Sequence, residues 1–247
     1  MILMYIFFFI LGTVLASFIN ATLYRIDNEY KYPEILVKGS HCEKCKHDLS
    51  WIDLIPVLGF IINRGRCKYC KTQINIYYPI SELLLGLSFL AVYAYSLPSY
   101  TYVIILFLFI LCFYDIKEMA IPQNITHVFL VFCILIFVFN FQLSNIYFPL
   151  AIAAFLFLLN LFKKSFGIGD ILVILGLGIL ISWKQAMVFF WLSIIIALLY
   201  SLGYIALTNT ELKKAKIPMV PFLSIAYIVS LMYGDTIFWY IIKLLQL

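Results

Sequence analysis

Charge is scarce in this sequence. Its 247 residues include 17 Lys or Arg and 12 Asp or Glu, while 65% are hydrophobic, and the mean hydropathy is +1.04. That balance excludes an ordinary soluble domain, in which about a quarter of the residues carry charge. Short segments of alternating polarity are lacking too, which excludes a membrane β-barrel. No Lys/Arg run carries interleaved aromatics, so no nucleic-acid partner is expected. No Lys or Arg precedes Arg25. The stretch 2–23 therefore lacks the positive start of a secretory signal and reads as a retained helix.

What the chain has instead is long apolar runs of the length needed to cross a bilayer core. Their breaks predict spans over 2–23, 79–97, 100–114, 122–141, 146–162, 170–182, 184–207 and 218–246. The expected fold is an all-α polytopic membrane protein of about eight transmembrane helices. Residues 24–78 are the one long polar section, so the expected domains are a first helix (1–23), a small cytoplasmic domain (24–78) and a seven-helix membrane domain (79–247). Orientation follows from the loop cations. With the amino terminus outside, 15 of the 17 basic residues fall on the inner side, leaving only Lys184 and Lys243 outside. The polar domain and the loops around Asp115 and Asp170 then face the cytoplasm.

Six cysteines are present. Cys112 and Cys133 lie in apolar runs and read as small buried hydrophobes. Cys42-x-x-Cys45 and Cys67-x-x-Cys70 are separated by 21 residues, just beyond the usual spacing of a four-thiolate zinc site; each pair supplies two ligands from a tight turn, and zinc is favoured over a redox pair or an iron–sulfur site. With all four ligands from protein the site is closed, so the zinc is expected to be structural. Membrane lipid is the expected neighbour of the surrounding lysines and arginines.

Two acids stand out. Asp115 closes one apolar span and Asp170 opens another, and the two crossings between them return both to the same membrane face. Acids at such depth are costly and mark function. If the two meet, they share one proton, and one can act as base toward water while the other polarises a carbonyl. Helix termini alone favour Asp170 as the anion and Asp115 as the acid. Gly167 and Gly169 permit close approach or a positive φ beside Asp170. Glu82, in the first turn of its span, reads equally as a carboxylate favoured by the helix dipole.

With these residues in place the chain resembles the type IV prepilin peptidases, membrane aspartic proteases of the Gly-x-Gly-Asp type. The resemblance runs through Ala16-Ser17-Phe18-Ile19-Asn20 with Tyr24-Arg25, both cysteine pairs, and Trp51-Ile52-Asp53-Leu54-Ile55-Pro56-Val57. It continues in Tyr78-Pro79-Ile80-Ser81-Glu82, in Asp115 with Ile121-Pro122, in Gly167-Ile168-Gly169-Asp170, and in Ile217 to Leu223. It implies eight spans in the bacterial inner membrane, with Asp115 and Asp170 catalytic and Gly167, Gly169 and Pro122 supporting them. The implied reaction is removal of a prepilin's or pseudopilin's basic leader after a glycine at the cytoplasmic face. Members with the four-cysteine domain also N-methylate the new terminal residue from S-adenosylmethionine, which makes Glu82 and Gly86 methyl-transfer candidates. Leu172 stands where members often carry lysine. Competing readings are a peptidase alone, with the zinc domain as docking scaffold, and a carboxylate-coupled transporter. The transporter would be expected to show inverted repeats and mid-span charges.

Overall fold

The computed structural model describes residues 2–140, 144–162, 167–208 and 217–245. Lys163, Lys164, Lys213, Lys214 and Lys216, which the orientation above uses, lie outside the described residues. Ten helices occur among those described: α1 (Ile2–Asp27), α2 (Glu34–Val37), α3 (Leu58–Ile62), α4 (Tyr77–Ala94), α5 (Tyr100–Glu118), α6 (Gln123–Phe139), α7 (Ser144–Phe162), α8 (Ile168–Gly178), α9 (Trp183–Thr208) and α10 (Val220–Leu245). No β-strand occurs among the described residues, where two isolated bridges join His41 to Asp48 and Arg66 to Gln73.

Six helices, α1, α4, α5, α7, α9 and α10, are long and apolar enough to cross a membrane. They leave large side chains such as Phe7, Ile10, Trp191, Leu199 and Trp239 facing outward. Apolar surface of that extent calls for a lipid solvent, and the protein is a multi-pass membrane protein. All eight expected spans coincide with helices, but α6 and α8 are shorter, at 17 and 11 residues. At 1.5 Å per residue α8 reaches only about 16 Å, roughly half of a hydrocarbon core.

The chain forms two compact units, residues 1–102 and 103–247. In the first, α1 lies along α4 at a crossing made by two glycines. A Cβ on Gly12 would lie 2.7 Å from Leu85 O and 2.8 Å from Gly86 Cα, and one on Gly86 would lie 2.6 Å from Thr13 Cγ2. Small residues let membrane helices approach backbone to backbone. In the second unit α9 pairs with α10, while α8 packs against α6 and α7. The interior there is built of Leu108, Leu111, Phe129, Val173, Leu177, Phe189 and Leu223.

Candidate functional site

The second unit holds the two acids. The last turn of α5 carries Asp115, and the helix ends at Glu118; the next residue, Met119, turns the chain with a φ of 52° while its N–H donates to Asp115 O at 3.1 Å. Pro122, with no N–H to lose, caps α6 and accepts from the Thr126 amide and hydroxyl, each at 3.1 Å. The Asp115 side chain is buried, and its Oδ2 accepts the Val220 N–H at 2.8 Å. The Met219 amide is a second backbone partner. Both donors come from the start of α10, so the stretch Ile217 to Leu223 enters the site through its backbone.

Asp170 sits in the first turn of α8, three residues after the N-cap Gly167. Its carboxyl group takes a backbone hydrogen bond from Gly167, the reciprocal contact of an N-terminal capping box. Its Oδ1 is buried without a hydrogen-bond partner among the described residues. A buried acceptor left in that state is costly, and such atoms mark places where a ligand or water completes the bonding. Gly167 has φ −64° and ψ 138°, a backbone any residue adopts. What glycine supplies there is space: a Cβ would lie 2.8 Å from Asp170 Oδ2 and would push the carboxyl group aside. At Gly169 a Cβ would meet Ile121 Cβ and Cδ1, both at 3.2 Å. That contact presses the first turn of α8 onto the segment that follows Asp115, and the two carboxyl groups lie within Coulombic reach of each other.

The first unit holds the four cysteines. Their sulfurs all lie within 4.8 Å of one another, with Cys42 and Cys70 at 3.8 Å and Cys45 and Cys67 at 4.0 Å. The two pairs sit in matching turns. The Cys42 amide bonds to His47 O and the Lys46 amide to Cys42 O, at 2.9 Å each; Cys67 with Thr72 and Lys71 with Cys67 repeat this at 2.8 and 3.0 Å. Lys46 and Lys71 both take φ 57°, which aims both thiols of each pair to one side. These four cysteines could hold a metal ion. The Thr72 hydroxyl, and then its backbone, bring the Cys70 thiol down to about 6; a lowered thiol is a ready metal ligand.

Beside this cluster lies a cavity of about 280 Å³, lined among others by Asn20, Tyr24, Arg25, His41 and Glu82. Arg25 is buried; its Nη1 donates to Ile35 O at 2.9 Å, and no carboxylate pairs with it among the described residues. Asn20 is 3% exposed. Its Nδ2 donates to Ser81 Oγ at 2.9 Å, whereas its Oδ1 is unpartnered among the described residues, as is His41 Nε2. Glu82 is buried and accepts the Val57 N–H on Oε2 at 2.8 Å and a Ser17 hydroxyl bond. Val57 has φ 61° and ψ −49°, and Leu58 N–H reaches Pro56 O at 2.6 Å. This is a γ-turn of the strained kind, and rare for a β-branched residue. Glu82 thus holds a strained turn at the cavity wall, whereas Gly86 belongs to the helix crossing.

Asn20 and Arg25 fall within the stretches that carry the resemblance but receive no role from it, and His41 belongs to none of those stretches. The available signal is the spacing of Ser17, Asn20 and Tyr24, a polar stripe on one face of an apolar helix.

Residues 10–96 match the bacterial peptidase A24 N-terminal domain, and residues 102–202 match the type IV leader peptidase family. The chain is similar to curated proteins named prepilin leader peptidase/N-methyltransferase. The one from Bacillus subtilis (strain 168) is 31% identical over 245 residues, covering 96% of this chain and 97% of the relative. The one from Aeromonas salmonicida (strain A449) is 28% identical over 278 residues, covering 96% and 94%. The one from Vibrio cholerae serotype O1 is 29% identical over 217 residues, covering 79% and 84%. No solved structure matches the chain.

Proposed function

We propose that this chain, which belongs to the type IV leader peptidase family, removes the basic leader of type IV prepilins or pseudopilins after a glycine, and then N-methylates the residue exposed. The observation that carries the peptidase half is the convergence of Asp115 and Asp170 through the contact of Gly169 with Ile121. In this reading the protein crosses the inner membrane eight times, with α6 and α8 as its short spans, and the pair faces the cytoplasm. The loop cations support that orientation.

The pair shares one proton, since two neighbouring carboxylates do not both ionise cheaply. The hydrogen bonds divide the roles. Asp115 accepts peptide N–H groups from Val220 and Met219, which suits the carboxylate form, so it serves as base. Asp170 keeps Oδ1 free of partners among the described residues, which suits the acid that donates to the scissile carbonyl. This is the opposite of the division suggested by helix termini. Water loses a proton to Asp115 as its oxygen bonds to the carbonyl carbon, and Asp170 protonates the carbonyl oxygen. The tetrahedral diol then collapses: the C–N bond breaks, the leaving amine takes the proton held on Asp115, and one diol hydroxyl returns its proton to Asp170 as the carbonyl reforms.

The four cysteines suit zinc: a tetrahedral thiolate site with bonds of about 2.3 Å has sulfur–sulfur edges of about 3.8 Å. All four ligands come from protein, so the metal's part is to hold residues 40–75 together. S-adenosylmethionine, when bound, supplies an electrophilic methyl group to the freed amine.

The test incubates the detergent-purified protein with a prepilin and S-adenosylmethionine and follows the substrate by mass spectrometry. Loss of the leader followed by gain of one methyl is expected. Loss of the leader alone leaves the peptidase and removes the methyltransferase. Asp115→Asn or Asp170→Asn variants that still cleave would sink the aspartic mechanism.

A further inference from the structure

A buried guanidinium without a carboxylate partner, facing the same cavity as a buried carboxylate, is an unusual arrangement. Desolvated charges normally pair. Here Arg25 and Glu82 line one cavity, and each is satisfied only in part, by neutral groups: the Ile35 carbonyl for Arg25, and the Val57 amide and Ser17 for Glu82. Two further polar atoms in the same wall, Asn20 Oδ1 and His41 Nε2, have no partner among the described residues. A cavity presenting a cation, an anion and unused polar atoms is complementary to a zwitterion. Its volume, about 280 Å³, is that of about nine waters at ~30 Å³ each, the size class of a free amino acid.

We infer that this cavity binds the zwitterionic amino-acid end of S-adenosylmethionine, with Arg25 holding the α-carboxylate and Asn20 Oδ1 accepting from the α-ammonium. The inference rests on the reading of the chain as a methyltransferase and gives that activity a binding site. Glu82 puts a buried carboxylate and Tyr24 an aromatic ring in the wall of the same cavity, groups that would suit a sulfonium cation. The transfer balances without any further reagent. The lone pair of the neutral amine forms the N–CH3 bond as the S–CH3 bond breaks, the bonding electrons stay on sulfur, and one proton leaves nitrogen. A zwitterionic lipid headgroup such as phosphatidylethanolamine offers the same charges, so the experiment separates the two.

The full-length protein in detergent is equilibrated with tritium-labelled S-adenosylmethionine, its Kd is measured by dialysis, and the wild-type complex is cross-linked by ultraviolet light for peptide mapping. The expected label lies in peptides covering 17–25 or 39–44. Arg25→Gln is expected to raise Kd about tenfold or more, the loss of roughly one charge-assisted hydrogen bond. Lys31→Gln, the removal of an exposed cation nearby, is expected to leave Kd unchanged. If Arg25→Gln does not fold, as judged by lost metal, the wild-type cross-link decides alone. Label confined to residues 103–247, or an Arg25→Gln Kd equal to the wild type, overturns the inference while a methylated product keeps the methyltransferase reading standing. Displacement of the donor by phosphatidylethanolamine nanodiscs assigns the cavity to lipid and overturns it too. A wild type that neither binds donor nor yields methylated product removes both.

Discussion

Replacing Gly167 by alanine tests the aspartate pair through geometry and leaves its chemistry untouched. At φ −64° and ψ 138° alanine takes the backbone without strain, and the gain of about 0.4–1 kcal/mol from a stiffer unfolded chain offsets alanine's poorer fit at an N-cap. The new Cβ lies 2.8 Å from Asp170 Oδ2 and 3.6 Å from Cγ. Ordinary contact requires the carboxyl group to retreat by about 0.5 Å, the tolerance within which a reacting constellation must be held. A 1 Å misplacement costs about a hundredfold in rate, so half of that predicts about a tenfold fall in kcat, or ~1.4 kcal/mol of barrier. KM and Tm should not fall with it. The assay is leader removal from a purified prepilin, run beside thermal unfolding. Gly203→Ala, where nothing lies within 4 Å of the added Cβ, is the control for glycine replacement as such. A Gly167→Ala enzyme with wild-type kcat, or one whose loss of rate follows a loss of Tm, refutes the reasoning.

Gly12→Ala should destabilise the first unit by about 1–3 kcal/mol, because Leu85 O and Gly86 Cα are backbone and cannot move aside; a melting temperature in detergent equal to the wild type contradicts the crossing. Asp53 accepts from the Ser50 amide at 3.0 Å, the Ser50 hydroxyl at 2.7 Å and Asn63 Nδ2 at 2.8 Å, and the Ser50 hydroxyl, then Asn63, hold its carboxyl below the usual range. A depressed carboxyl stabilises fully above its unfolded value near 4 and loses that contribution as pH falls through the folded one. Protection of the Ser50 amide from hydrogen exchange should therefore be flat from neutral pH to about 4 and decline below, and a decline starting near neutrality would contradict it.

Element placement was legible because lipid imposes a simple rule: backbone polar groups must be satisfied within a segment, so long apolar runs become helices. All eight expected spans correspond to helices, and the breaks fall at residues that cannot continue one, such as Pro98 before α5 and Pro122 before α6. The length of α8 was not legible. The apolar run from Asp170 to Ser182 suggests one span, yet the helix ends at Gly178 and leaves a turn, with Leu180 N–H on Leu177 O at 3.3 Å and Ile181 N–H on Gly178 O at 3.4 Å. Hydropathy measures what a segment prefers to touch and is silent on where its hydrogen bonds change type. The cysteine cluster was legible for the opposite reason, since ligand spacing within each tight turn already restricts the geometry.

Two sets of residues stand in the motifs without a role being legible for them. Val220 and Met219 reach Asp115 through backbone groups, which every residue carries, so side-chain identity gives no warning of what they do. For Gly167 and Gly169 the sequence offers close approach or a positive φ, and the neighbouring atoms favour the first: an added Cβ would crowd Asp170 Oδ2 at 2.8 Å or Ile121 at 3.2 Å. Asn20 and Arg25 present the converse problem. Their side chains are conspicuous in an apolar helix, yet what sets them apart is the lack of an acceptor's donor and a cation's anion among the described residues. Such a deficit is a property of the folded surroundings and can be seen only after the whole local hydrogen-bond inventory is drawn up. Motifs therefore find residues whose chemistry is intrinsic, such as paired thiols and acids. Unmet bonding finds residues with bonds to spare, and in this chain it leads to the cavity lined by Arg25 and Asn20.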